Sequence, residues 1–541
     1  MSKTVYIFDG ISLPFSADSS DALRVVEKKL NSVGIDSKKC RLDISKKSVD
    51  ARHKDDIKLI WSVSVRSDRL SQKEHEKILR LGARSMAVES LEVRFGCETI
   101  QARPLVVGMG PAGMFCALIL AENGYKPIII DRGDSVADRV ASLERFYSEH
   151  ILDTESNIQF GAGGAGTFSD GKLLTRINDP KCAYVLETLV KFGAPEEITV
   201  KAKPHVGTDV LRTVVDNVLS HIEKLGGEVI YRCKLTGIRE RGDGLVEALT
   251  SKGSILASSV VLALGHSARD TYHTLIESQF DIIPKPISVG VRIEHKRSFI
   301  EEALYGRFAG EPALGAAEYA LSDTRDERGV YTFCMCPGGE VVAAASEEGG
   351  VVVNGMSHFA RDGENSNSAV AVSVRVEDYE AVDGSLALGA IEFQRRIERR
   401  AFAAGGGGYA VPVQTVEDFM NKRSGSEPSS VFPTYMGGNN FKVASMDDVL
   451  PSFICDSLRY GLASFDKKIK GFASDPALLS GAETRTSSPL RMLRGEDMRA
   501  IGKRSIYPCG EGAGYAGGIT SAAVDGVKVA MAIASRFKPF E

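Results

Sequence analysis

The sequence predicts an α/β protein in which a parallel, helix-flanked sheet is split by an inserted α+β domain and preceded by a small α+β domain. Three observations support this prediction. A strand–turn–helix–strand unit begins at Leu105, an apolar strand runs from Val260 to Leu264, and a strand–turn–helix unit follows Ser505. Apolar runs that end in glycine are typical of parallel strands buried on both faces. We therefore expect the chain to leave this sheet and to return to it near its end.

The first unit has the spacing of a dinucleotide-binding turn. The strand Leu105–Val107 leads into Gly108-Met109-Gly110-Pro111-Ala112-Gly113. In such turns the first glycine permits the bend, the second lets the backbone approach a pyrophosphate, and the third allows close helix–strand packing. The helix predicted from Ala112 to about Glu122 then points free N–H groups at the phosphates. The predicted cofactor residues here are Gly108, Gly110, Pro111, Ala112 and Gly113.

An acidic residue follows at the expected distance. The second predicted strand, Pro127–Ile130, ends on Asp131, roughly twenty residues beyond the glycines, where a ribose hydroxyl would be held. The acid favours an unphosphorylated ribose, as in FAD or NAD, over NADP. We expect Asp131 at the ribose, and Arg132 and Arg139 in the same cofactor site.

The end of the chain carries a second glycine-rich helix start. The strand Ser505–Cys509 leads into Gly510-Glu511-Gly512-Ala513-Gly514-Tyr515-Ala516-Gly517-Gly518-Ile519, and a helix is predicted from Thr520 to about Phe537. Such a start can bind an anion or a carbonyl group. Together the two ends resemble the glutathione-reductase-type FAD proteins. The resemblance implies that Glu511 holds the ribityl chain or a nearby phosphate, and that Gly517, Gly518 and Ile519 lie at the flavin ring. A glycine-rich hairpin that only closes the domain is the alternative.

A third glycine block lies between these ends. Residues Gly161 to Gly166 repeat a GxGxxG pattern, but no apolar strand precedes them and a polar, turn-rich segment follows. This context argues against a second dinucleotide site. Because glycine permits close backbone approach, we interpret the block as a loop lying flat against a planar ligand. The predicted contacts are Gly163, Gly164, Ala165 and Gly166.

Three blocks together resemble one family. The run Gly163–Leu173, the run Cys334–Gly339 and the terminus Gly510–Ile519 are similar to the signature of a widespread, mostly uncharacterised family of FAD-dependent dehydrogenases and oxidoreductases among the glutathione-reductase-type flavoproteins. The resemblance covers most of residues 100 to 541. It implies non-covalent FAD in a glutathione-reductase-type Rossmann domain, with Leu235 in backbone contact with adenine and Gly265 close to FAD. It does not name a substrate.

The resulting domain assignment has four segments. They are a 1–100 N-terminal α+β module, a 101–275 first part of the FAD-binding domain, a 276–480 substrate-facing domain and a 481–541 second part of the FAD-binding domain. No second strand–GxGxxG–helix unit occurs in the sequence, so a dedicated NAD(P) domain is not expected. NAD(P)H stays open as a transient electron donor.

Catalytic residues are not assigned by the sequence. Cys334 and Cys336 would share one face of a predicted strand, because side chains two apart do so. They are either a redox pair near the flavin or small apolar core residues, and extended geometry hinders a disulfide between them. No cluster of cysteines and histidines completes a metal site.

Several histidines and arginines also have two interpretations. A histidine beside Gly265 could orient a group at the flavin, and arginines could clamp an acidic substrate. For each of them, a structural role is the more common interpretation. These residues are His266, His295, His358, Arg292, Arg485 and Arg491.

Composition narrows the class of protein. The 541 residues carry a formal net charge of −4, which gives no general attraction to nucleic acid or anionic lipid. The nine cysteines form no disulfide framework and the start lacks the apolar core of a signal peptide, so a reduced, cytoplasmic chain is expected. Lysines and arginines between residues 38 and 58 alternate with aspartates, which favours a solvated face over an RNA site.

Three functions therefore compete. The favoured one is an FAD-dependent oxidoreductase that moves a hydride or electrons between flavin and a small molecule, without membrane or nucleic-acid partners. The second is a flavin enzyme that modifies RNA, with the N-terminal module as its grip. The third is a non-catalytic binding protein of the same fold, which the intact glycines, Asp131 and Glu511 disfavour.

Overall fold

The computed structural model of the protein describes residues 4–67, 70–87, 91–325 and 327–540. Three structural units carry most of the secondary structure: a four-stranded N-terminal sheet, a five-stranded parallel sheet and a seven-stranded mixed sheet. No helix in these ranges has the length and apolar character needed to cross a membrane.

The N-terminal unit is an antiparallel sheet packed against two helices around its own apolar core. Its strands are Thr4–Pro14, Arg41–Asp50, Lys58–Arg66 and Arg84–Ala87, in the order second, third, first, fourth. Its helices are Ser19–Ser32 and Gln72–Arg80, with a short 3-10 turn at Ser37–Lys39. Much of the charged segment predicted to be a solvated face lies in the edge strand Arg41–Asp50, in which no residue is buried. The sequence did not indicate a strand there, because an edge strand tolerates charged side chains that a central strand would not.

The five-stranded sheet carries the glycine turns. Its strands, in spatial order, are Ile506–Pro508, Val260–Leu262, Leu105–Val107, Ile128–Ile130 and Glu228–Ile230, all parallel. The flanking helices are Pro111–Glu122, Val136–Glu149, Lys181–Lys191, Thr208–Lys224, Arg269–Glu277 and Ile519–Ala534. A three-stranded antiparallel meander lies in sequence between Glu228–Ile230 and Val260–Leu262, with strands Leu235–Glu240, Val246–Thr250 and Gly253–Ala257. The parallel sheet thus combines four strands from residues 105–262 with Ile506–Pro508 from the end of the chain.

The last helix ends earlier than predicted. It stops at Ala534, and Phe537–Lys538 then pairs in parallel with Glu98–Thr99. The apolar periodicity continues to Phe537 because that side chain is also buried, although in a strand.

The chain between the parallel strands Val260–Leu262 and Ile506–Pro508 builds the seven-stranded sheet. Its strands, in spatial order, are Ser322–Asp323, Val330–Cys336, Asn365–Val374, Ile287–Lys296, Leu478–Glu483, Val411–Thr415 and Phe441–Val443. Its helices are Arg297–Tyr305, Leu386–Ala404, Val416–Met420, Met446–Val449 and Ser452–Lys468. Two small ribbons complete this part, Glu340–Ala343 with Val353–Met356 and Ile282–Pro284 with Leu490–Met492. The remaining 3-10 turns are Gly164–Phe168, Glu196–Thr199, Gly306–Phe308, Val376–Asp378 and Tyr435–Gly438.

The N-terminal unit contacts the rest of the chain through its edge strand. The Lys47 amide donates to the Val200 carbonyl at 2.7 Å, and the Ala202 amide donates to the Lys47 carbonyl at 2.8 Å. The rings of Phe15 and Phe308 meet edge-on with centroids 4.9 Å apart. The Lys47 hydrogen bonds pair part of the open edge of the N-terminal sheet, where an edge strand presents unpaired backbone groups.

Candidate cofactor-binding site

A cleft of about 380 Å³ lies at the carboxyl ends of three adjacent strands of the parallel sheet. Val107, Ala263 and Cys509, which end or follow these strands, line it. Ligands of open α/β sheets bind at this edge of the sheet. The cleft also reaches the seven-stranded sheet, since Cys334, Cys336 and Glu483 contribute to its wall. The cleft therefore extends from the strand ends of the parallel sheet to thiol and carboxyl side chains of the seven-stranded sheet.

Most of the predicted cofactor residues line this cleft. They are Gly108, Gly110, Pro111, Ala112, Asp131, Arg132, Gly164, Ala165, Gly166, Leu235, Gly265, Glu511, Gly517, Gly518 and Ile519. They come from segments far apart in sequence, and the fold brings them to one surface.

Gly113, Gly163 and Arg139 do not line the cleft, and their surroundings indicate a supporting role. A Cβ on Gly113 would lie 1.8 Å from the Gly108 carbonyl oxygen, so glycine lets the helix pack onto its turn. Gly163 has φ +80, and a Cβ there would lie 1.9 Å from Thr167 Oγ1. The structure offers no support for direct contact between these residues and a cofactor.

Arg139 holds the third glycine block in place. Its buried guanidinium donates to the carbonyls of Asn157 at 2.8 Å, Ile158 at 2.9 Å and Gly164 at 3.1 Å. Burial is the main cause that lowers the pKa of Arg139, to about 9, and Asp131 opposes this shift. The Arg139 side chain thus fixes the loop around Gly164, which forms part of the cleft wall. The sequence predicted that Arg139 lies at the cofactor, whereas in the structure it supports the loop that lines the cleft.

The glycines of the cleft fall into two kinds. A Cβ on Gly108 would lie 2.2 Å from the Ala263 carbonyl oxygen, so protein packing requires glycine there. The nearest described atom to a Cβ added at Gly110 would be the Gly164 Cα, at 4.0 Å. A Cβ added at Gly517 or Gly518 would have no described atom within 4 Å. Packing does not require glycine at these three positions. Bare backbone facing the cleft there fits a ligand that approaches very closely.

Two helices begin at the cleft without a side-chain cap. They are Pro111–Glu122, after Gly110, and Ile519–Ala534, after Gly518. The first N–H groups of a helix have no partner within the helix and carry the positive end of its dipole. A pyrophosphate and an electron-rich ring carbonyl are groups that such starts bind. The two starts therefore fit the two polar regions of FAD.

Asp131 fastens three loops at the phosphate end. Its Oδ2 accepts from the Met109 amide at 2.8 Å, and its Oδ1 accepts from the Gly133 amide at 2.9 Å and the Gly161 amide at 2.8 Å. The carboxylate therefore has a structural task that the sequence did not indicate. A contact between Asp131 and a ribose hydroxyl stays a prediction.

Arg132 lies at the end of the cleft next to Leu235. Its guanidinium stacks 4.3 Å from the centroid of Phe160 and forms ion pairs with Glu155 at 2.8 Å and Asp270 at 2.7 Å. These partners hold the planar group in one orientation, which suits stacking against an aromatic ligand.

Glu511 has a carboxyl group without a hydrogen-bond partner among the described residues. Within the described residues no hydrogen bond reaches its side chain, although it lines the cleft. Burial raises the pKa of Glu511 to about 7, and Lys285 opposes this shift. A carboxyl group in this state fits a ligand hydroxyl, because a ribityl hydroxyl would supply the missing hydrogen bond.

At the far end of the cleft, four lining residues and the buried Arg292 behind them form a group that we call the thiol cluster: Cys334, Cys336, Lys172, Asp170 and Arg292. Lys172 Nζ donates to Asp170 Oδ2 at 2.8 Å and lies 4.0 Å from Cys336 Sγ. Arg292 Nη1 lies 3.9 Å from the same sulfur. Sequence reasoning missed Asp170 and Lys172. The run Gly163–Leu173 contains both, so a polar pair inside a glycine block was the available signal.

The expected strand geometry of the two cysteines is wrong. Pairing with Asn365–Val374 is interrupted between Phe333 and Cys336, and Cys334 has φ +44. A bulge therefore replaces the regular alternation, and it is this turn that lets both cysteines line the cleft. Burial raises the pKa of Cys334 to about 12.

His266 and Arg485 line the cleft beside a buried ionic network. Arg485 and Arg269 both pair with Glu398, at 3.0 Å and 2.7 Å. Arg485 Nη1 also donates to Ser267 Oγ at 3.0 Å. Burial, helped by the two arginines, lowers the pKa of His266 to about 3, so its imidazole is neutral at physiological pH.

The other histidines and arginines considered above do not line the cleft. Arg292 is fully buried and paired with Glu483 at 2.7 Å. Arg491 donates to the Gly514 carbonyl at 3.0 Å, and the His295 ring contacts the Phe472 carbonyl at 2.9 Å. His358 is also outside the lining. The structure thus leaves Arg485 as the arginine of that set that can reach a ligand.

Comparisons with known proteins agree with a flavin site. Residues 286–486 match a family described as "FAD-dependent protein, C-terminal domain-like". The chain is 47% identical over 526 residues to an uncharacterized protein of Clostridium beijerinckii, across 96% of this chain and 97% of that protein.

Two more distant similarities involve named proteins. Protein FixC of Escherichia coli K12 is 26% identical over 234 residues, which cover 39% of this chain and 49% of FixC. The crystal structure of CtdE in complex with FAD is 12% identical, with a TM-score of 0.33 over 80% of this chain and 84% of that chain. The match to the C-terminal domain and the near full-length clostridial relative show that this chain belongs to the FAD-dependent protein family that carries this domain.

Proposed function

We propose that the protein is an FAD-dependent oxidoreductase that moves a hydride or electrons between the flavin and a small molecule bound at the thiol cluster. One observation carries the proposal: bare backbone at Gly110, Gly517 and Gly518 and two uncapped helix starts face a single cleft. Packing does not account for the glycines, whereas a pyrophosphate and a ring do.

Each wall of the cleft has a task in this proposal. Arg132 and Leu235 hold the adenine, the first helix start binds the pyrophosphate, and Glu511 bonds the ribityl chain. The start of the last helix orients the ring, in a layout of the glutathione-reductase type. FAD, when bound, supplies the two-electron chemistry, and the protein supplies binding, orientation and electrostatics.

We call the part of the cleft around the start of the last helix, Gly518 and Ile519, its ring end. In this proposal the side chains there bind the substrate and hold or transfer protons. Neutral His266 can accept or donate a hydrogen bond without adding charge. Lys172 and Arg485 give this end two cations, each held by a carboxylate partner. A small molecule with an electron-rich or anionic group would be positioned by them.

A small-molecule substrate is favoured over RNA by the placement of the N-terminal unit. Lys47 of its charged edge strand, Arg41–Asp50, forms a β-bridge with residues 200–202, so part of the basic segment contacts the protein itself. Several of its cations are also neutralised locally, as in the Arg41–Asp43 and Arg52–Asp50 pairs. NAD(P)H as a transient donor is part of the proposal, and it would enter the same cleft.

The test is an absorption spectrum of purified protein, followed by release of the cofactor on heating and a screen of reductants under anaerobic conditions. We expect a yellow protein that releases FAD, and bleaching by a suitable donor such as NADH or NADPH. A colourless protein that takes up no added FAD would contradict the proposal. Release of FMN in place of FAD would remove the roles of Arg132 and Asp131.

A further inference from the structure

The proposed function leaves two cysteines at the ring end of the cleft without a task. Cys334 and Cys336 line the same cleft as the start of the last helix, Gly518 and Ile519. Cys334 is partly exposed, whereas Cys336 is buried. Their position, the backbone between them and the charges around them point to one chemistry.

The backbone between the two cysteines departs from a regular strand. In an extended strand, residues two apart are separated by roughly 6.6–7.2 Å, at or beyond the upper end of the Cα range of about 4.4–6.8 Å for a disulfide. Here Cys334 has φ +44 and the strand is bulged, so the fully extended geometry does not apply to this pair. The Cys336 thiol donates to the Cys334 carbonyl oxygen at 3.3 Å, so its sulfur is directed back toward residue 334. The obstacle to a disulfide in a regular strand is removed.

The charges around Cys336 favour a developing thiolate. Lys172 Nζ and Arg292 Nη1 lie 4.0 Å and 3.9 Å from its sulfur. Asp170 fixes Lys172, and Glu483 fixes Arg292. Burial raises the pKa of the Cys336 thiol, and the two cations oppose that shift. The thiols are therefore protonated at rest, with cations in place to stabilise the anion once a proton leaves.

We propose that Cys334 and Cys336 form a dithiol–disulfide couple that exchanges two electrons with the bound flavin; this inference rests on the proposed function. In the oxidising direction two S–H bonds break and one S–S bond forms. Two electrons pass to oxidised FAD, which takes up one proton to give anionic reduced flavin, and the second proton leaves to solvent. Cys334 is a partly exposed residue of the cleft wall, so a thiol or disulfide compound would approach it through the cleft. The substrate class is therefore a low-molecular-weight thiol or disulfide.

Counting thiols tests the couple without measuring activity. Yellow protein is incubated in air and denatured in the presence of excess N-ethylmaleimide, which alkylates free thiols. The adducts are counted by mass spectrometry of the intact protein, with and without reduction before alkylation. The chain has nine cysteines, so with two of them in a disulfide we expect seven adducts before reduction and nine after it. The tryptic peptide from Gly329 to Arg361 contains both cysteines, and before reduction it should be lighter by two hydrogens.

Matched variants locate the disulfide. Cys334→Ser and Cys336→Ser should each show eight adducts with or without reduction, because the partner is lost. The exposed Cys97→Ser is the control and should gain two adducts on reduction, as the natural protein does. If a cysteine variant fails to fold, the peptide mass from the natural protein still decides.

An anaerobic dithionite titration gives a second measure. A flavin and a disulfide each take two electrons, so the natural protein and Cys97→Ser should take four per FAD. Cys334→Ser and Cys336→Ser should take two. A yellow protein with nine free thiols in air that takes two electrons per FAD would overturn the couple and leave the flavin proposal intact. A colourless protein that takes up no FAD would contradict the flavin proposal itself. The absorption spectrum recorded before the thiol count therefore distinguishes failure of the flavin proposal from failure of the cysteine couple.

Discussion

The two ends of the cleft are built in different ways. At the pyrophosphate end, one short segment, Gly108–Gly113, supplies the turn, the bare backbone and the helix start. At the thiol end, Lys172, Arg292 and Cys336 come from three distant segments and meet through side chains. The first end binds with backbone N–H groups, which any sequence with the correct conformation provides. The second depends on which side chains the fold brings together, so its chemistry depends on the identity of those residues.

The largest effect is expected where backbone alone makes the site. Gly110→Val should abolish FAD binding, because its side chain would fill the space in which the backbone meets the pyrophosphate. The apoprotein should remain folded, since the nearest atom to a Cβ at this position is the Gly164 Cα at 4.0 Å. Titration of apoprotein with FAD, followed by flavin fluorescence, measures the loss.

Gly242→Val is the matched control for this substitution. Its Cβ also meets no described atom within 4 Å, and Gly242 is not part of the cleft wall. This variant should bind FAD as the natural protein does. Equal FAD affinity in Gly110→Val and Gly242→Val would show that the pyrophosphate end has been misplaced.

Asp131→Ala tests whether the pyrophosphate end also depends on side chains. The substitution removes the acceptor of three backbone amides, those of Met109, Gly133 and Gly161. A buried donor left without a partner costs about 1–3 kcal/mol, so the free energy of unfolding of the apoprotein should fall by at least this amount. Urea denaturation with and without FAD separates the two tasks of the carboxylate. A loss seen only with FAD present would mean that Asp131 serves the ribose and does not hold the loops.

A smaller effect is expected from the protonation of Glu511. Its pKa is raised from 4.5 to about 7 in the fold, so the folded state holds a proton that the unfolded state has lost. The resulting stabilisation of the apoprotein is complete below about pH 4.5 and is lost as the pH rises through about 7. Urea midpoints at pH 5 and pH 8 measure it.

Glu511→Gln isolates this contribution from that of Glu294, whose pKa burial also raises to about 7. The natural protein should lose more stability than Glu511→Gln between the two pH values. FAD should reduce the difference, because a bound ribityl hydroxyl replaces the missing partner. An identical pH dependence in both proteins would contradict a raised pKa for a half-buried Glu511 that lacks a hydrogen-bond partner among the described residues.

The smallest effect on the cleft is expected from removal of the N-terminal unit. A chain that starts at Cys97 retains every residue of the cleft wall and should bind FAD with unchanged affinity. Its thermal midpoint should fall, because the Phe15–Phe308 contact and the Lys47 backbone hydrogen bonds are lost. Titration with tRNA at physiological salt, on both proteins, should show only weak binding. Tight tRNA binding that disappears with the unit would favour the RNA-modifying alternative.

The parts of the site that the sequence could predict share one physical property. The turn at Gly108, the acid at Asp131 and the helix start at Gly518 depend on backbone conformation over a few residues, so spacing alone reveals them. Arg139 shows the limit of this reasoning. It lies near the predicted site in sequence, yet its guanidinium binds the carbonyls of Asn157, Ile158 and Gly164. Sequence distance did not show which way the side chain points.

The cysteines show the same limit more clearly. Local periodicity predicts a regular strand through Cys334, whereas the structure has a left-handed residue and a bulge there. The contacts of Lys172 and Arg292 with Cys336 join segments more than forty residues apart. No local pattern encodes such contacts, because they depend on the strand order of the seven-stranded sheet and on how the segment that carries Lys172 packs against it. The backbone frame of a cofactor site could thus be predicted from the sequence alone, but its thiol cluster exists only through tertiary packing, which places distant side chains within reach of one another.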